Sequence, residues 1–212
     1  MQIIDITVPM FEGMVVWPGQ EKYERSSMSA IADGEICNLT QIATSVHAGT
    51  HVDAPCHFID GGPSIDQVDL AAFVGRCRVV SIPDRDRIDL PDLKRLKLQN
   101  VERLLIKTDN SERLAEPEFV RDFAALTIDA ARYLADLESL RLVGVDYYSI
   151  APFGDDEVAT VVHNAILGRS IVALEGVDLR KGTPGEYELI ALPLRIEGSD
   201  GSPVRAVLID RR

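Results

Sequence analysis

Short runs of apolar and β-branched residues recur along the chain and are separated by polar segments. Strands are typically about four to eight residues long and rich in Val, Ile and Leu, so each run is typical of a strand. Runs of this kind predict strands at residues 3–8, 38–46, 77–82, 103–108, 140–147, 170–176, 187–196 and 203–209. The sequence EGSDGS joins the last two, and its Gly, Asp and Ser content predicts a hairpin or a longer turn between antiparallel strands.

Helical periodicity is limited to two segments. Residues 127–140 carry apolar side chains at near-helical spacing behind Thr127, which is a suitable N-cap. Residues 158–168 predict a second helix that Gly168 closes. Many strands, few helices and no regular alternation predict an α/β or α+β domain around a strongly curved or barrel-like sheet.

Composition and charge narrow the class of protein. A chain of 212 residues without repeats or linkers predicts a single domain over residues 1–212. The formal net charge of -12 repels phosphate, so nucleic acid is not expected as a partner. No apolar run is long enough to cross a bilayer and the start lacks the pattern of a secretory leader, which predicts a cytoplasmic protein with no membrane partner.

Histidine is concentrated in the sequence HAGTHVDAPCHF. The chain has four histidines, and three of them fall within residues 47–58. His47, His51 and Asp53 are separated by even numbers of residues, so an extended backbone would project all three side chains to one side. Gly49 and Pro55 make a helix improbable here. The spacing therefore predicts three polar groups on one face of a strand.

Two imidazoles and a carboxylate on one face suit a divalent metal such as Zn²⁺ or Mn²⁺. Gly49 would let the backbone pass close to the metal or substrate, and Pro55 would fix the direction of His57. His57 is then either a further ligand or a proton-transfer group. Any one of these histidines alone would more often be a packing residue, but the set together predicts a metal or catalytic site.

Three residues outside the motif are further candidates. His163 falls on the second predicted helix, and Glu175 ends a buried apolar strand, where a carboxylate is costly without a partner. Taken alone, His163 would be structural and Glu175 could emerge into solvent, but a metal would explain both. Trp17, the only tryptophan, either anchors a loop on the core or offers an aromatic platform to a planar substrate.

The sequence HAGTHVDAPCHF resembles the HxGTHxDxPxHF signature of the metal-dependent cyclase family, which includes kynurenine formamidase and isatin hydrolase. The early WPG, GVDYYSI, the HNAILGRSIVALEG block and the C-terminal YELIALPLRIEGSDGSPVRAVL resemble the kynurenine formamidase branch, so the likeness covers most of the chain. The resemblance implies a cyclase-like β/β/α domain, with a curved or barrel-like mixed sheet and few helices, that assembles as a homodimer or homotetramer.

The resemblance also implies roles for the candidate residues. One metal would be held by His47, His51 and Asp53; Asp53 and Glu175 would bridge to a second metal, which His163 completes. His57 would be the proton donor or acceptor and Trp17 would contact the substrate, as in a hydrolase of an aryl formamide such as N-formylkynurenine. The cofactor would be one or two divalent ions, Zn²⁺ first and Mn²⁺ as the other candidate.

Two other readings of the same site remain open. One is a hydrolase that opens a cyclic amide, as isatin hydrolase does, because a match in the metal site does not choose among carbonyl–nitrogen substrates. The other is a non-catalytic family member that binds metal without turnover. An intact His57 makes the non-catalytic reading less attractive.

Overall fold

A computed structural model describes residues 1–211 and places a curled, mixed sheet of nine strands at the centre of the molecule. The strands of the chain are β1 (Gln2–Asp5), β2 (Glu24–Ser29), β3 (Leu39–Ala43), β4 (His51–Asp53), β5 (Val74–Ser81), β6 (Arg87–Ile88), β7 (Arg103–Lys107), β8 (Ala125–Leu126), β9 (Leu142–Val145), β10 (Val172–Glu175), β11 (Gly185–Ile190), β12 (Gly201–Pro203) and β13 (Val207–Asp210). The main sheet runs β1-β13-β11-β5-β7-β9-β10-β4-β12. The neighbours among β5, β7, β9 and β10 are parallel, and the outer pairs are antiparallel.

Within the described residues there are four α-helices: α1 (Leu90–Lys94), α2 (Asn110–Arg113), α3 (Ile128–Ala135) and α4 (Asp156–Leu167). The predicted fold class, a curved mixed sheet with few helices, is confirmed. None of these helices is long and apolar enough to cross a membrane.

The period-two alternation of the parallel strands sorts the core into two layers. On β7, Leu104 and Ile106 belong to the cluster packed against α3 and α4, whereas Leu105 belongs to the cluster on the opposite face. Burying each of these side chains is worth about 1.5–3 kcal/mol. On β10, Ala173 faces the helix layer, so Glu175, two residues later, points to the same side. The alternation thus directs a carboxylate toward α4.

Both predicted helices exist with shifted ends. Thr127 caps α3 and its hydroxyl accepts from the backbone N–H of Ala130, but the helix stops at Ala135, because the chain must turn back to enter β9. The predicted extension to residue 140 is therefore wrong. Helix α4 begins two residues before the predicted start, since Asp155 supplies the N-cap, and it ends at Leu167 with Gly168 as the C-cap.

The C-terminal region is antiparallel as predicted, and of the two expected connections, a hairpin or a longer turn, the longer one forms. Strands β11 and β13 do pair, as the register Glu188↔Ile209 shows. Between them, β12 leaves this pair and adds to β4, with Gly201 opposite Asp53. The segment 197–202 is therefore not a tight hairpin turn; it crosses from one region of the sheet to the motif strand.

Strands β2 and β3 form a separate antiparallel pair, called here the arm, that spans residues 24–43. Strand β2 was not predicted, because its sequence ERSSMS is almost entirely polar. Every residue of β3 is exposed, and large apolar side chains of the arm lie in solvent: Met28, Ile31, Ile36, Leu39 and Ile42. The arm thus gains little packing from its own chain.

Candidate metal centre

Strands β4 and β10 bring three of the predicted ligands together. They pair antiparallel, with His51 opposite Glu175 and Asp53 opposite Ala173. His51 and Asp53 are two residues apart on a strand, so both side chains project to the face toward which Glu175 points. The Nε2 of His51 lies 3.5 Å from Asp53 Oδ1 and 3.3 Å from Glu175 Oε2. All three residues are buried.

His47 reaches the same place by another route than the one predicted. The extended backbone covers only His51–Asp53, and His47 lies in a turn before it, so the expected alternation over residues 47–53 is wrong for its first member. Gly49 makes this turn with a φ of 67°, a left-handed conformation that L side chains rarely adopt. A Cβ there would meet Met14 at 3.2 Å, so Gly49 accommodates protein packing rather than the site itself.

Helix α4 closes the site from the opposite side through His163. Its Nε2 lies 3.5 Å from Glu175 Oε1. The ring of Phe58 stacks on the His163 imidazole, with centroids 4.0 Å apart and planes within 3° of parallel. Phe58 follows the short 3-10 turn Pro55–His57, so one tight turn places both His57 and the ring that supports His163. The role of Phe58 was not predicted.

Two of the imidazoles are oriented by backbone carbonyl groups. The Nδ1 of His51 donates to the carbonyl oxygen of Gly49 at 3.0 Å, and the Nδ1 of His163 donates to that of Ala159 at 2.8 Å. Each bond leaves the Nε2 atom facing carboxylate oxygens. Histidines that bind metals usually donate their other ring N–H to such a group, which fixes the tautomer. The orientation of both rings is thus that of ligands.

An unpaired oxygen provides a test of whether a metal fits. Asp53 is buried, and its Oδ2 atom has no hydrogen-bond partner. Leaving a carboxylate oxygen both buried and unpaired is costly, and metal coordination is one of the few ways to compensate that cost. The donor set of imidazole nitrogens and carboxylate oxygens is suited to zinc-like divalent ions. The residues therefore fit a divalent cation.

Opposite charges dominate the titration of most of the cluster. Burial by itself lowers the pKa of His47, but hydrogen bonds and charge interactions with Asp53 and Asp200 raise that pKa to about 9. Burial opposes ionisation of Asp53, yet His47 and His51 hold the pKa of its carboxyl well below its usual range. His57 differs, because burial lowers its pKa in spite of the nearby carboxylates.

The same balance holds on the α4 side of the centre. Burial lowers the pKa of His163, but Glu175 outweighs burial and raises it above the ordinary value. Burial and the charge of Asp53 both raise the pKa of Glu175. The opposing effect of His163 and His51 is larger, so the pKa lies below its usual value and the carboxyl stays ionised. The centre thus holds a pair of carboxylates that are charged at neutral pH, as cation binding requires.

Among the described residues, two groups of side chains have ligand atoms close enough together to hold an ion. The first consists of His47, Asp53 and His57, and the second of His51, Asp53 and Glu175, with all ligand atoms of a group within 4.8 Å of one another. Asp53 is common to both, as expected of a bridging carboxylate, but His51 groups with Glu175 instead of His47, and His163 belongs to neither group. His57 lies within the first group, so the structure keeps open both of its predicted roles, ligand or proton-transfer group.

A cavity of about 350 Å³ opens over the cluster, and Trp17 forms part of its wall. Trp17 also packs edge-on against Phe119 and Phe153, with centroids 5.2 and 5.3 Å away. Trp17 thus anchors a loop on an aromatic cluster and faces the cavity, and its contact with a substrate stays a prediction. Other wall residues outside the predicted site are Gln20, Phe58, Tyr148, Ser149, Pro152, Asp156, Ala159 and Thr160.

Asp200 is the charged neighbour that sequence reasoning missed. Its Oδ2 accepts from His47 Nε2 at 2.9 Å and from His57 Nδ1 at 3.1 Å. The residue falls in the EGSDGS segment, whose composition predicts a turn and gives no signal of a site. Only the pairing of β12 with β4 brings it beside the motif, 143 residues along the chain from His57.

Comparison with known proteins identifies the family of the chain. The family model Cyclase matches residues 4–152. The chain belongs to the Cyclase family. A kynurenine formamidase of Bacillus anthracis is 35% identical to it over 206 residues, which are 97% of this chain and 96% of that protein. The predicted family resemblance is thereby confirmed.

Solved structures agree on the fold. A protein described as a potential metal-dependent hydrolase with cyclase activity is 32% identical, with a TM-score of 0.85, over 100% of this chain and 98% of its own. Isatin hydrolase A from Ralstonia solanacearum has the same TM-score at 21% identity, over 99% of this chain and 92% of its own. At that identity, the second likeness concerns the fold alone.

Proposed function

We propose that this protein is a metal-dependent amidohydrolase that cleaves an aryl formamide such as N-formylkynurenine. The observation that carries the proposal is the buried cluster around the unpaired Asp53 Oδ2, which lies beneath an aromatic-walled cavity. The kynurenine formamidase of Bacillus anthracis, 35% identical over nearly the full length, supports the substrate class.

The residues that would hold metal are His47, His51, Asp53, His163 and Glu175. When bound, a divalent ion supplies a Lewis acid that polarises a carbonyl and lowers the pKa of water to near neutrality. The protein contributes charged carboxylates and imidazoles whose tautomers are already set by backbone carbonyl groups. We propose Zn²⁺ as the resident ion and one or two ions per subunit, with Mn²⁺ as the alternative.

His57 is the proposed proton donor and acceptor. It lines the cavity, and its Nδ1 donates a hydrogen bond to Asp200. This leaves Nε2 to face the substrate. Its pKa lies below the ordinary histidine value because of burial, so the ring is neutral at pH 7 and able to take up a proton. It would then deliver that proton to the departing amine nitrogen.

Substrate turnover by metal-loaded protein tests the proposal. The purified protein is stripped with a chelator, reloaded with Zn²⁺ or Mn²⁺, and assayed on N-formylkynurenine, an aliphatic N-formyl amide and isatin. We expect metal-dependent hydrolysis, fastest on the aryl formamide. Elemental analysis before stripping identifies the resident ion and its number. Absence of stoichiometric divalent metal under every loading condition would overturn the proposal.

Opening of a cyclic amide is the second candidate. The fold shared with isatin hydrolase A supports it, and the same cavity would accept a bicyclic ring. Faster turnover of isatin than of the aryl formamide would favour this reading. Metal binding without hydrolysis of any of the three substrates would favour the non-catalytic reading.

The arm supports a proposal on assembly. We propose a homodimer, or a homotetramer built from it, in which the arm packs on a second copy of this chain. An isolated two-stranded hairpin is marginally stable in water, and this one presents large apolar side chains to solvent. A second copy would bury those side chains in a symmetric contact. Sedimentation velocity gives the mass in solution.

A further inference from the structure

Asp200 bridges two imidazoles of the proposed centre, His47 and His57, and contacts both with one oxygen. Its Oδ2 is 2.9 Å from His47 Nε2 and 3.1 Å from His57 Nδ1, and the two rings stack with centroids 4.0 Å apart. Neither group of side chains close enough to hold an ion includes Asp200 among the described residues. It therefore contacts the cluster without being one of its candidate ligands.

The backbone on either side fixes the position of this carboxylate. The carbonyl oxygen of Asp200 accepts from the Ala54 N–H at 2.8 Å, and that of Ser199 accepts from the Ile65 N–H, also at 2.8 Å. The next residue, Gly201, lies so close to the motif that a Cβ there would be 2.8 Å from His47 Cε1. The segment is thus held against the motif at several points, and no side chain larger than hydrogen fits at Gly201.

The chemistry of the contact determines the tautomer of His57. A carboxylate only accepts hydrogen bonds, so the nitrogen of His57 that faces Asp200 must carry the proton. Neutral His57 is then the Nδ1–H tautomer, and its Nε2 has a free lone pair for a proton on the substrate side. Acid–histidine pairs orient catalytic imidazoles in the same way in hydrolases of other folds.

We propose that Asp200 is a positioning residue that holds His57 in the Nδ1–H tautomer and turns its Nε2 toward the cavity. The proposal rests on the proposed function, in which His57 transfers the proton. It adds a residue from the C-terminal region to a site otherwise built from the motif, β10 and α4. Its effect on turnover is exerted through His57 rather than by contact with substrate.

The test compares Asp200→Ala and Asp200→Asn with Glu197→Gln. Glu197 is an exposed carboxylate of the same segment, so its substitution controls for loss of one negative charge. We expect Asp200→Ala to lower kcat by roughly 10- to 100-fold, which is part of the roughly 100- to 10,000-fold that a general acid–base group contributes, with KM and metal content unchanged. Asp200→Asn keeps the size of the side chain, but its kcat should fall as well. Its amide carries N–H donors besides the acceptor oxygen, so it no longer requires a proton on His57 Nδ1.

A second measurement does not depend on turnover. In metal-free protein at mildly alkaline pH, the ¹⁵N shifts of His57 report which ring nitrogen carries the proton. Wild type and Glu197→Gln should show the Nδ1–H form, and both Asp200 variants should move toward Nε2–H. The NMR result stands even if wild type hydrolyses no aryl formamide, so failure of the proposed function and failure of this proposal are distinguishable.

Three results would overturn the role of Asp200. The first is an unchanged His57 tautomer in both variants, and the second is full kcat in Asp200→Ala. The third is loss of metal from Asp200→Ala, which would assign the residue to His47 and ion retention. Because Asp200→Asn is nearly isosteric, it keeps the test valid if the Ala variant is unstable.

Discussion

Strand β4 and the arm are both extended segments with antiparallel partners, yet they differ in nearly every other respect. Strand β4 has three residues, and all are buried between β10 and β12. The arm spans residues 24–43 and is exposed along all of β3, and in the part of the chain that the structure describes its two strands pair only with each other. The shorter segment is the one that carries two residues of the candidate centre, His51 and Asp53.

The difference shows what determines precision at a site. Local pairing holds the arm together, but neighbours on both edges and a helix layer on one face hold β4. Functional groups must be placed to within about 0.5 Å, and this requires packing from several directions. Among residues 1–211 the arm has no such surroundings, and we propose that its order in solution comes from a second copy. Substitutions in the two regions should therefore differ in kind.

The largest effect is expected at the centre of the cluster. Asp53→Ala removes the carboxylate common to both ligand groups, so the protein should lose metal and its activity should fall by roughly 1,000-fold or more. Elemental analysis and turnover of the aryl formamide measure the two losses. Asp60→Ala, which removes an exposed carboxylate from a turn seven residues away, is the control and should leave both unchanged.

Removing the proton carrier should separate chemistry from metal binding. His57→Ala is expected to lower kcat by about 100- to 10,000-fold, the usual worth of a general acid–base group. Metal content should stay near that of wild type, because the five proposed ligands all remain: His47, His51, Asp53, His163 and Glu175. Near-complete activity in this variant would contradict the assigned role, and loss of metal would identify His57 as a ligand instead.

The pH dependence of metal uptake should report the charge state of the cluster. Burial lowers the pKa of His47, but its bonds with Asp53 and Asp200 raise it to about 9, so the ring is protonated at neutral pH in metal-free protein. Ligation needs the neutral ring, hence affinity should rise by about tenfold per pH unit and level off above about 9. Titration with chelator-buffered Zn²⁺ at a series of pH values measures the affinity. An affinity that does not change with pH would exclude His47 as a ligand.

Loss of the aromatic wall should weaken substrate binding moderately. Trp17→Ala is expected to raise KM for the aryl formamide by about tenfold, since one aromatic contact is worth up to about 1.5 kcal/mol. Trp17→Phe should retain most of the affinity, because a ring still packs against Phe119 and Phe153. Equal KM values in all three proteins would show that Trp17 only anchors its loop.

The smallest effect on the subunit itself is expected in the arm. The double substitution Leu39→Thr and Ile42→Thr keeps strand-compatible residues but removes exposed apolar surface. We expect the mass in solution to fall to that of a monomer, while the free energy of unfolding of the subunit changes by about 0.5 kcal/mol or less. Leu70→Thr, at an exposed position outside the arm, should change neither. An unchanged mass in the arm variant would remove the arm from the interface.

Sequence reasoning succeeded where the signal is local. The curved mixed sheet with few helices followed from short apolar runs, and Thr127 was identified correctly as a helix cap. The gathering of His51, Asp53 and Glu175 was implied by the family resemblance and not by a local pattern, and the pairing of β4 with β10 accounts for it. The expectation for His47 rested on alternation in a strand, yet a turn through Gly49 places it, because a left-handed residue interrupts the extended backbone.

By itself, the sequence determined which side chains are candidates for the chemistry, the family to which the chain belongs and the broad architecture, because motif spacing and periodicity are properties of neighbouring residues. Only the tertiary structure decided that Phe58 stacks on His163 and that Asp200 contacts His57. Those contacts join residues more than 100 positions apart. They depend on the register of β12 against β4 and on the packing of α4, which no local pattern encodes.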